Sequence, residues 1–374
     1  MRQKIGKYLF FPLVIFGALS LSACSISTTS NGGGDAQSTG NIFLSVDTAS
    51  SWAQVSNIPT VNGKVESIAG VEVSGFYNDP SDNLAVYMGT NQHGLYYTYN
   101  VTKGWNKVVT IPDTRINAVA VDPKDKCTIY VAALNRLYRS EDCARSFIQV
   151  YFDNDAAVAV SSVVIDFYNP RNLYIATSRG EVIKSIDRGN SWRSIWRMEE
   201  PIGRIVLSPK DSRLVYIATL KNKVYSFVSN TDTNADTSED IDRNFAVDNF
   251  QDLNTALRDM EIGEKFVELS ASSDGTIFLA TADLIARSKD EGISWESLNL
   301  LQPDGKTDIT AMTSDFKESN NIYYATASTF FKSSDGGATW ATKRLPTAWT
   351  ASDIMVDFRD GKNVYLGAAK PIKK

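Results

Sequence analysis

A short segment recurs seven times along this chain, and that period leaves few architectures open. The copies lie at residues 75–90, 120–133, 165–177, 207–219, 270–281, 313–326 and 356–368, each an alternating apolar stretch, a polar turn, then a strand of aliphatic and aromatic residues. An eight-residue turn between two short strands follows most of them. Its clear forms lie at 185–192, 288–295 and 333–340, and looser forms with the same spacing at 45–52, 98–105 and 140–147. Trp105, Phe147 and Trp192 stand 42 and 45 residues apart, and Trp295 and Trp340 again 45. The interval of 103 between Trp192 and Trp295 therefore holds one more unit, with its turn lost and an insertion at 229–262. A unit of this size cannot cover its own apolar faces, so neighbours must stack to bury them.

Each unit reads as four short strands rich in β-branched and aromatic residues with turn signals between them, which predicts one blade of a β-propeller. The two ends of the chain are offset. Residues 353–369 supply only the first two strands of a blade, and residues 42–57 only the last two. Placing both in one shared blade leaves no open sheet edge. The expected fold is all-β: a seven-bladed propeller of four-stranded blades over residues 42–370, closed by the N-terminal strands, with a tail at 371–374.

The clear turns share the pattern Ser-x-Asp-x-Gly-x-Ser/Thr-Trp, which resembles the Asp-box, or BNR, repeat. Its aspartates (Asp187, Asp290, Asp335) are expected to accept hydrogen bonds from turn amides and its glycines (Gly189, Gly292, Gly337) to take a positive φ. Its tryptophans (Trp192, Trp295, Trp340) are expected to fill space between blades. Spaced around a ring, these aspartates cannot converge on one substrate atom, so they are read as structural. Sialidases carry the same repeat, but their Arg-Ile-Pro motif is not matched; Gly203-Arg204-Ile205-Val206 is the nearest string. No catalytic residue, cofactor or metal set is expected. The lone histidine, His93, has no second histidine or cysteine to complete a metal site.

Within the insertion, Asp232, Asn234 and Asp236 alternate like the start of an EF-hand calcium loop, yet Thr237 stands where a glycine is needed and Arg243 where a bidentate glutamate is needed. A solvated loop is expected, followed by a short helix over 249–261, because Phe250, Leu253, Leu257 and Met260 fall on one helical face.

At the N-terminus, Arg2, Lys4 and Lys7 precede an apolar run from Tyr8 to Leu21 and then Leu21-Ser22-Ala23-Cys24. That is the layout of a signal peptide over residues 1–23, and the run is short for a bilayer, whose ~30 Å core needs about 20 residues. The Leu-Ser-Ala-Cys ending resembles the lipobox of bacterial lipoproteins, which implies that Cys24 is lipidated and opens the mature chain. The alternatives are an ordinary cleaved signal and an uncleaved membrane helix. Residues 24–41 then form the anchor and a polar, glycine-rich tether with a reach on the order of 20–25 Å.

The chain carries 38 basic and 43 acidic residues, and losing the three basic residues of the leader leaves 35 against 43, a net −8. Such a charge attracts neither nucleic acid nor anionic lipid, so membrane contact is expected through the anchor alone. An exported chain permits oxidation, and antiparallel pairing in the second blade brings Cys127 and Cys143 to one end. A disulfide between them is expected, with two free thiols as the alternative.

Over residues 42–369 the chain is similar to two kinds of seven-bladed Asp-box propeller, the photosystem II assembly-factor family and the sortilin-type receptors, both of which bind polypeptides. The resemblance implies a protein-binding or assembly scaffold on the extracytoplasmic side of a bacterial membrane rather than an enzyme. A carbohydrate-binding or glycan-hydrolysing propeller is the alternative. The binding face is expected opposite the Asp-box turns, where Arg115, Arg136, Arg179, Arg204, Lys221 and Lys223 gather. They would suit an acidic peptide, an exposed carboxylate or an anionic glycan, although Asp153, Asp155, Glu181, Glu199 and Glu200 lie among them.

Overall fold

Seven four-stranded antiparallel sheets follow one another along the chain. The computed structural model describes residues 40–60, 66–82, 84–230, 242–260, 262, 263, 265–301 and 308–371. The leader, Cys24, nearly all of the tether, the insertion residues Asp232, Asn234, Asp236 and Thr237, and residues 372–374 lie outside the described residues. Blades 1 to 6 begin at Val73, Ile116, Val160, Ile202, Phe266 and Ala311, and each takes its four strands in chain order. Blade 7 is the expected composite. Thr350–Val356 and Val364–Ala369 are completed by Ile42–Ser45 and Ala53–Gln54, with Ile42 opposite Gly367 and Ser45 opposite Val364. A small ribbon, Asn57–Ile58 against Glu66–Ser67, lies on the connection into blade 1.

Burial explains the strand sequences. The second strand of each blade is covered on both faces, so it reads as an almost unbroken apolar run; Leu173–Thr177 and Ile277–Thr281 are buried throughout. The fourth strand lies outermost, and Ala341–Arg344 is exposed along its length. There is no single core. Seven apolar clusters form instead, one between each pair of neighbouring blades. The cluster joining blades 7 and 1 packs Ile42 and Met355 against Val73 and Phe76, so the N-terminal strand is part of the last interface. First strands of consecutive blades neighbour one another right round the ring and enclose a central channel.

The helix expected over 249–261 is largely replaced. Val247–Asp252 is the fourth strand of blade 4, paired with Val224–Ser229, and helix is confined to Asn254–Leu257 with a 3-10 turn at Arg258–Met260. An open sheet edge offers backbone hydrogen bonds that outweigh a local helical period. Phe250 therefore stacks on Trp196 at 4.2 Å, while Leu253 and Leu257 pack between blades 4 and 5.

Candidate functional site

The hairpins joining second to third strands and the blade-to-blade connections share one face of the ring, here the upper face; the first-to-second and third-to-fourth turns share the lower one. The channel opens at both.

Near the upper face the first strands bulge. The register slips between Val73 and Gly75, Val160 and Ser162, Ile202 and Arg204, Phe266 and Glu268, and Ala351 and Asp353, and a matching slip lies between Ile116 and Ala118. A bulge leaves one residue unpaired and re-aims its side chain. Here the extra residues, Ser74, Asn117, Ser161, Gly203, Val267 and Ser352, all line a cavity of about 400 Å3 in the channel. The position after each bulge faces a glycine or alanine of the second strand. It is Gly75, Ala118 or Ser162 in three blades, but Arg204, Glu268 and Asp353 in blades 4, 5 and 7.

These three charges meet in the cavity. Arg204 Nε lies 3.2 Å from Glu268 Oε1, and the Phe76 amide donates to Asp353 Oδ2 at 2.6 Å. Burial pushes the Glu268 carboxyl up to about 7 against the opposing pull of Arg204, and the Asp353 carboxyl up to about 6. The hydroxyls of Ser161 and Ser352 are buried there with no hydrogen-bond partner among the described residues, a polar demand that a ligand or water can meet. Reading the residues in order singled out Arg204 but missed Glu268 and Asp353. The signal was available only by aligning the repeats, which puts all three at one strand position.

Of the other basic residues expected on this face, Arg115 reaches the cavity and donates to Asn91 Oδ1 at 2.5 Å. Arg179 pairs with Asp153 at 2.7 Å and Glu181 at 3.7 Å, and Lys223 with Glu200 at 2.6 Å. Arg136 lies over the Phe152 ring at 5.3 Å, and Lys221 is exposed. Acids of the same loops thus share the rim with these cations. His93 is exposed at a hairpin tip, its amide held by Thr90 Oγ1.

The lower mouth is built differently. A buried Asp or Ser ends each first strand: Asp79, Asp122, Asp166, Ser208, Ser272, Asp315 and Asp357. In most blades its side chain accepts from the amide two residues on, as Asp357 does from Arg359 at 2.8 Å. The residue between cap and amide is held at the channel rim: Pro80, Pro123, Phe167, Pro209, Phe316 and Phe358, with Ser273 in blade 5. The three prolines and three phenylalanines line a second opening of about 600 Å3, and Tyr77 and Arg204 line both cavities.

The third-to-fourth turns lie away from the channel. In 185–192, Ser185 Oγ donates to Asp187 Oδ1 at 2.8 Å and accepts from Gly189 N at 2.8 Å. Asp187 also takes the Ser191 amide at 2.8 Å and hydroxyl at 2.6 Å. The same bonds recur in 45–52, 140–147, 288–295 and 333–340. Positive φ is needed at the fourth and fifth positions, met by Arg188 and Gly189 but equally by Thr48 and Ala49 or Cys143 and Ala144. Trp192 Nε1 is shared between Val150 O of blade 2 and Gly189 O of its own turn, Trp340 Nε1 donates to Asn299 O in the chain leaving blade 5, and Trp295 Nε1 donates within its own turn to Gly292 O. Cys127 and Cys143 form a disulfide across the lower end of blade 2, closing a separation of 16 residues worth roughly 3 kcal/mol in chain entropy.

Fold and channel together define a seven-bladed propeller with a charged cavity in its channel. No family model and no curated protein matches the sequence. The fold is shared with the GH74 xyloglucanase from Xanthomonas campestris (TM-score 0.60, 16% identity, 80% of this chain and 51% of that one). It is shared too with YCF48 bound to D1 peptide (TM-score 0.55, 13% identity, 80% of this chain and 94% of that one). A third likeness is the extracellular domain of a one component system from B. thetaiotaomicron (TM-score 0.57, 15% identity, 86% of this chain and 44% of that one). This chain spans about half the length of the xyloglucanase. At such identities the likenesses establish the fold alone.

Proposed function

We propose that this chain is a lipid-anchored, extracytoplasmic propeller that binds polypeptide and serves as an assembly scaffold. The observation that carries the reading is the state of the channel acids. Glu268 Oε1 is engaged by Arg204 and Asp353 Oδ2 by the Phe76 amide, so both carboxyls are anchored in the channel wall as polar groups of a binding surface. YCF48, which shares the fold, is bound to a peptide. The Leu-Ser-Ala-Cys string supports the anchor at Cys24.

Photo-crosslinking in intact cells from a probe at position 115 tests the scaffold: recovery of a defined protein partner is expected. Palmitate labelling tests the anchor, with label lost and the protein released from membranes in Cys24→Ser. Glycan hydrolysis is the second reading, favoured by two channel carboxyls raised to about 6 and about 7, a range suited to proton exchange near neutral pH. Turnover of xyloglucan or another glycan that disappears in Glu268→Gln, without any crosslinked protein, would replace the scaffold by an enzyme.

A further inference from the structure

The upper cavity holds charges that the scaffold reading leaves unused. Four charged side chains line it, Arg115 and Arg204 against Glu268 and Asp353, and among them they form a single ion pair, Arg204 Nε with Glu268 Oε1 at 3.2 Å. The two Nη groups of Arg204 make no hydrogen bond among the described residues. Arg115 donates to the uncharged Asn91 side chain. Asp353 accepts from the Phe76 amide, and the cation that acts on it, Arg204, does so from beyond ion-pair distance. A desolvated carboxylate and a desolvated guanidinium without their own counter-ions each favour an opposite charge brought in by a ligand. The Ser161 and Ser352 hydroxyls are buried in the same cavity without a partner, one in the blade before Arg204 and the other next to Asp353 in the chain. Gly203 has no side chain, and Leu220 Cδ2 and Phe266 Cδ1 come within 2.9 and 3.0 Å of where its Cβ would stand, so with Val267 they form an apolar wall beside Arg204.

We infer that the upper cavity is a binding site for a zwitterionic ligand of the α-amino-acid class with an apolar side chain. The ligand's carboxylate meets the Arg204 Nη groups and the Ser161 hydroxyl, its ammonium meets Asp353 and the Ser352 hydroxyl, and its side chain lies against Leu220, Phe266 and Val267. Glu268 holds Arg204 in place for it. The balance of charge selects this class. Two cations against two acids make the cavity neutral, and a ligand of no net charge keeps it so. A simple anion leaves Asp353 unpaired, a simple cation leaves the Arg204 Nη groups unpaired, and a neutral sugar satisfies the hydroxyls but neither charge. At about 400 Å3 the cavity lies toward the small end of ligand sites, ~300–1,000 Å3, and so takes a molecule the size of one residue. The site goes beyond the scaffold reading and does not depend on it.

Isothermal titration of the full chain in detergent, with L-leucine as the probe, tests the site, and saturable one-to-one binding is expected. N-acetyl-leucine, which lacks the ammonium, and leucinamide, which lacks the carboxylate, should each bind about tenfold or more weaker, the loss that one charged hydrogen bond carries. Glucose should not bind. Asp353→Asn keeps an acceptor for the Phe76 amide, and it should weaken leucine about tenfold and abolish the preference for leucine over N-acetyl-leucine. Arg204→Gln should abolish the preference for leucine over leucinamide instead. Ser161→Leu fills the cavity without changing its charge and should lose binding even if Arg204→Gln fails to fold, while Lys289→Met, outside the channel, is unchanged. Absence of leucine binding, equal affinity for leucine and both analogues, or glucose binding as tight as leucine overturns the proposal. If leucine fails to bind while crosslinking from position 115 still captures a protein, this site falls and the scaffold reading stands; leucine binding with no captured protein gives the reverse.

Discussion

Arg204 and Glu268 occupy the same strand position in adjacent blades and form an ion pair across the channel wall, Nε to Oε1 at 3.2 Å. Asp353 holds that position in blade 7, so two acids and one cation share it, with Arg115 a second cation lining the cavity. Both acids have pKa values raised above their ordinary ones, to about 7 and about 6, so the folded chain holds protons that the unfolded chain has released. Their contribution to stability is therefore full below about pH 4 and is lost as pH rises to about 7. Arg204→Met should steepen that loss. Because the Arg204 side chain is 37% exposed, screening limits the cost to about 1–2 kcal/mol at pH 8, with less at pH 5 where protonation relieves both acids. Urea denaturation at the two pH values checks this, and an equal cost at both would count against it.

Arg287 links blade to blade. Its Nη1 donates to Gly336 O at 2.9 Å, a carbonyl in the next blade's left-handed turn, and its Nε to Glu296 at 2.8 Å. Arg139 and Lys332 make the equivalent reach to Arg188 O and Thr48 O. Arg287 is buried, so Arg287→Met should cost about 1–3 kcal/mol, whereas the exposed Lys289→Met should stay within about 0.5. Thermal unfolding of the two variants side by side decides the point.

The turn aspartates should govern the acid limb of stability. Hydroxyl and amide donors hold Asp47, Asp142 and Asp335 down to about 2. A lowered folded pKa gives stability that is present above about pH 4 and lost as pH falls through about 2. Asp335→Asn should melt below the native chain at pH 6, and the gap should close toward pH 2. A gap constant across that range would show that the carboxylate charge is irrelevant.

Lys184 is buried, and its ammonium donates to Ser229 Oγ, Asn230 O and Asn244 O, residues at both roots of the insertion. It stands one residue before a turn serine, where Arg139, Arg287 and Lys332 stand in their own blades, and it spans to the blade that has lost its turn. Lys184→Met should raise the rate of proteolytic nicking between residues 230 and 244 by about tenfold, while cleavage elsewhere is unchanged. Uniformly faster cleavage would point to global destabilisation instead.

Blade count, closure and strand order were legible in the residues, because each follows from a period and from where that period is cut at residues 42 and 369. The turn chemistry was legible too, since its hydrogen bonds span only seven residues. What the residues in order could not show is whatever depends on convergence. Glu268 and Asp353 lie 85 positions apart and share a cavity only because first strands from separate blades meet at one channel. Phe316 and Phe358 look like core residues until buried aspartates beside them turn both toward an open mouth. Phe250 has a helical neighbourhood but lies in a strand, because the edge of blade 4 supplies backbone partners that no local pattern encodes. Local geometry is set by neighbours within a few residues; channel, rim and edge exist only once the ring has closed.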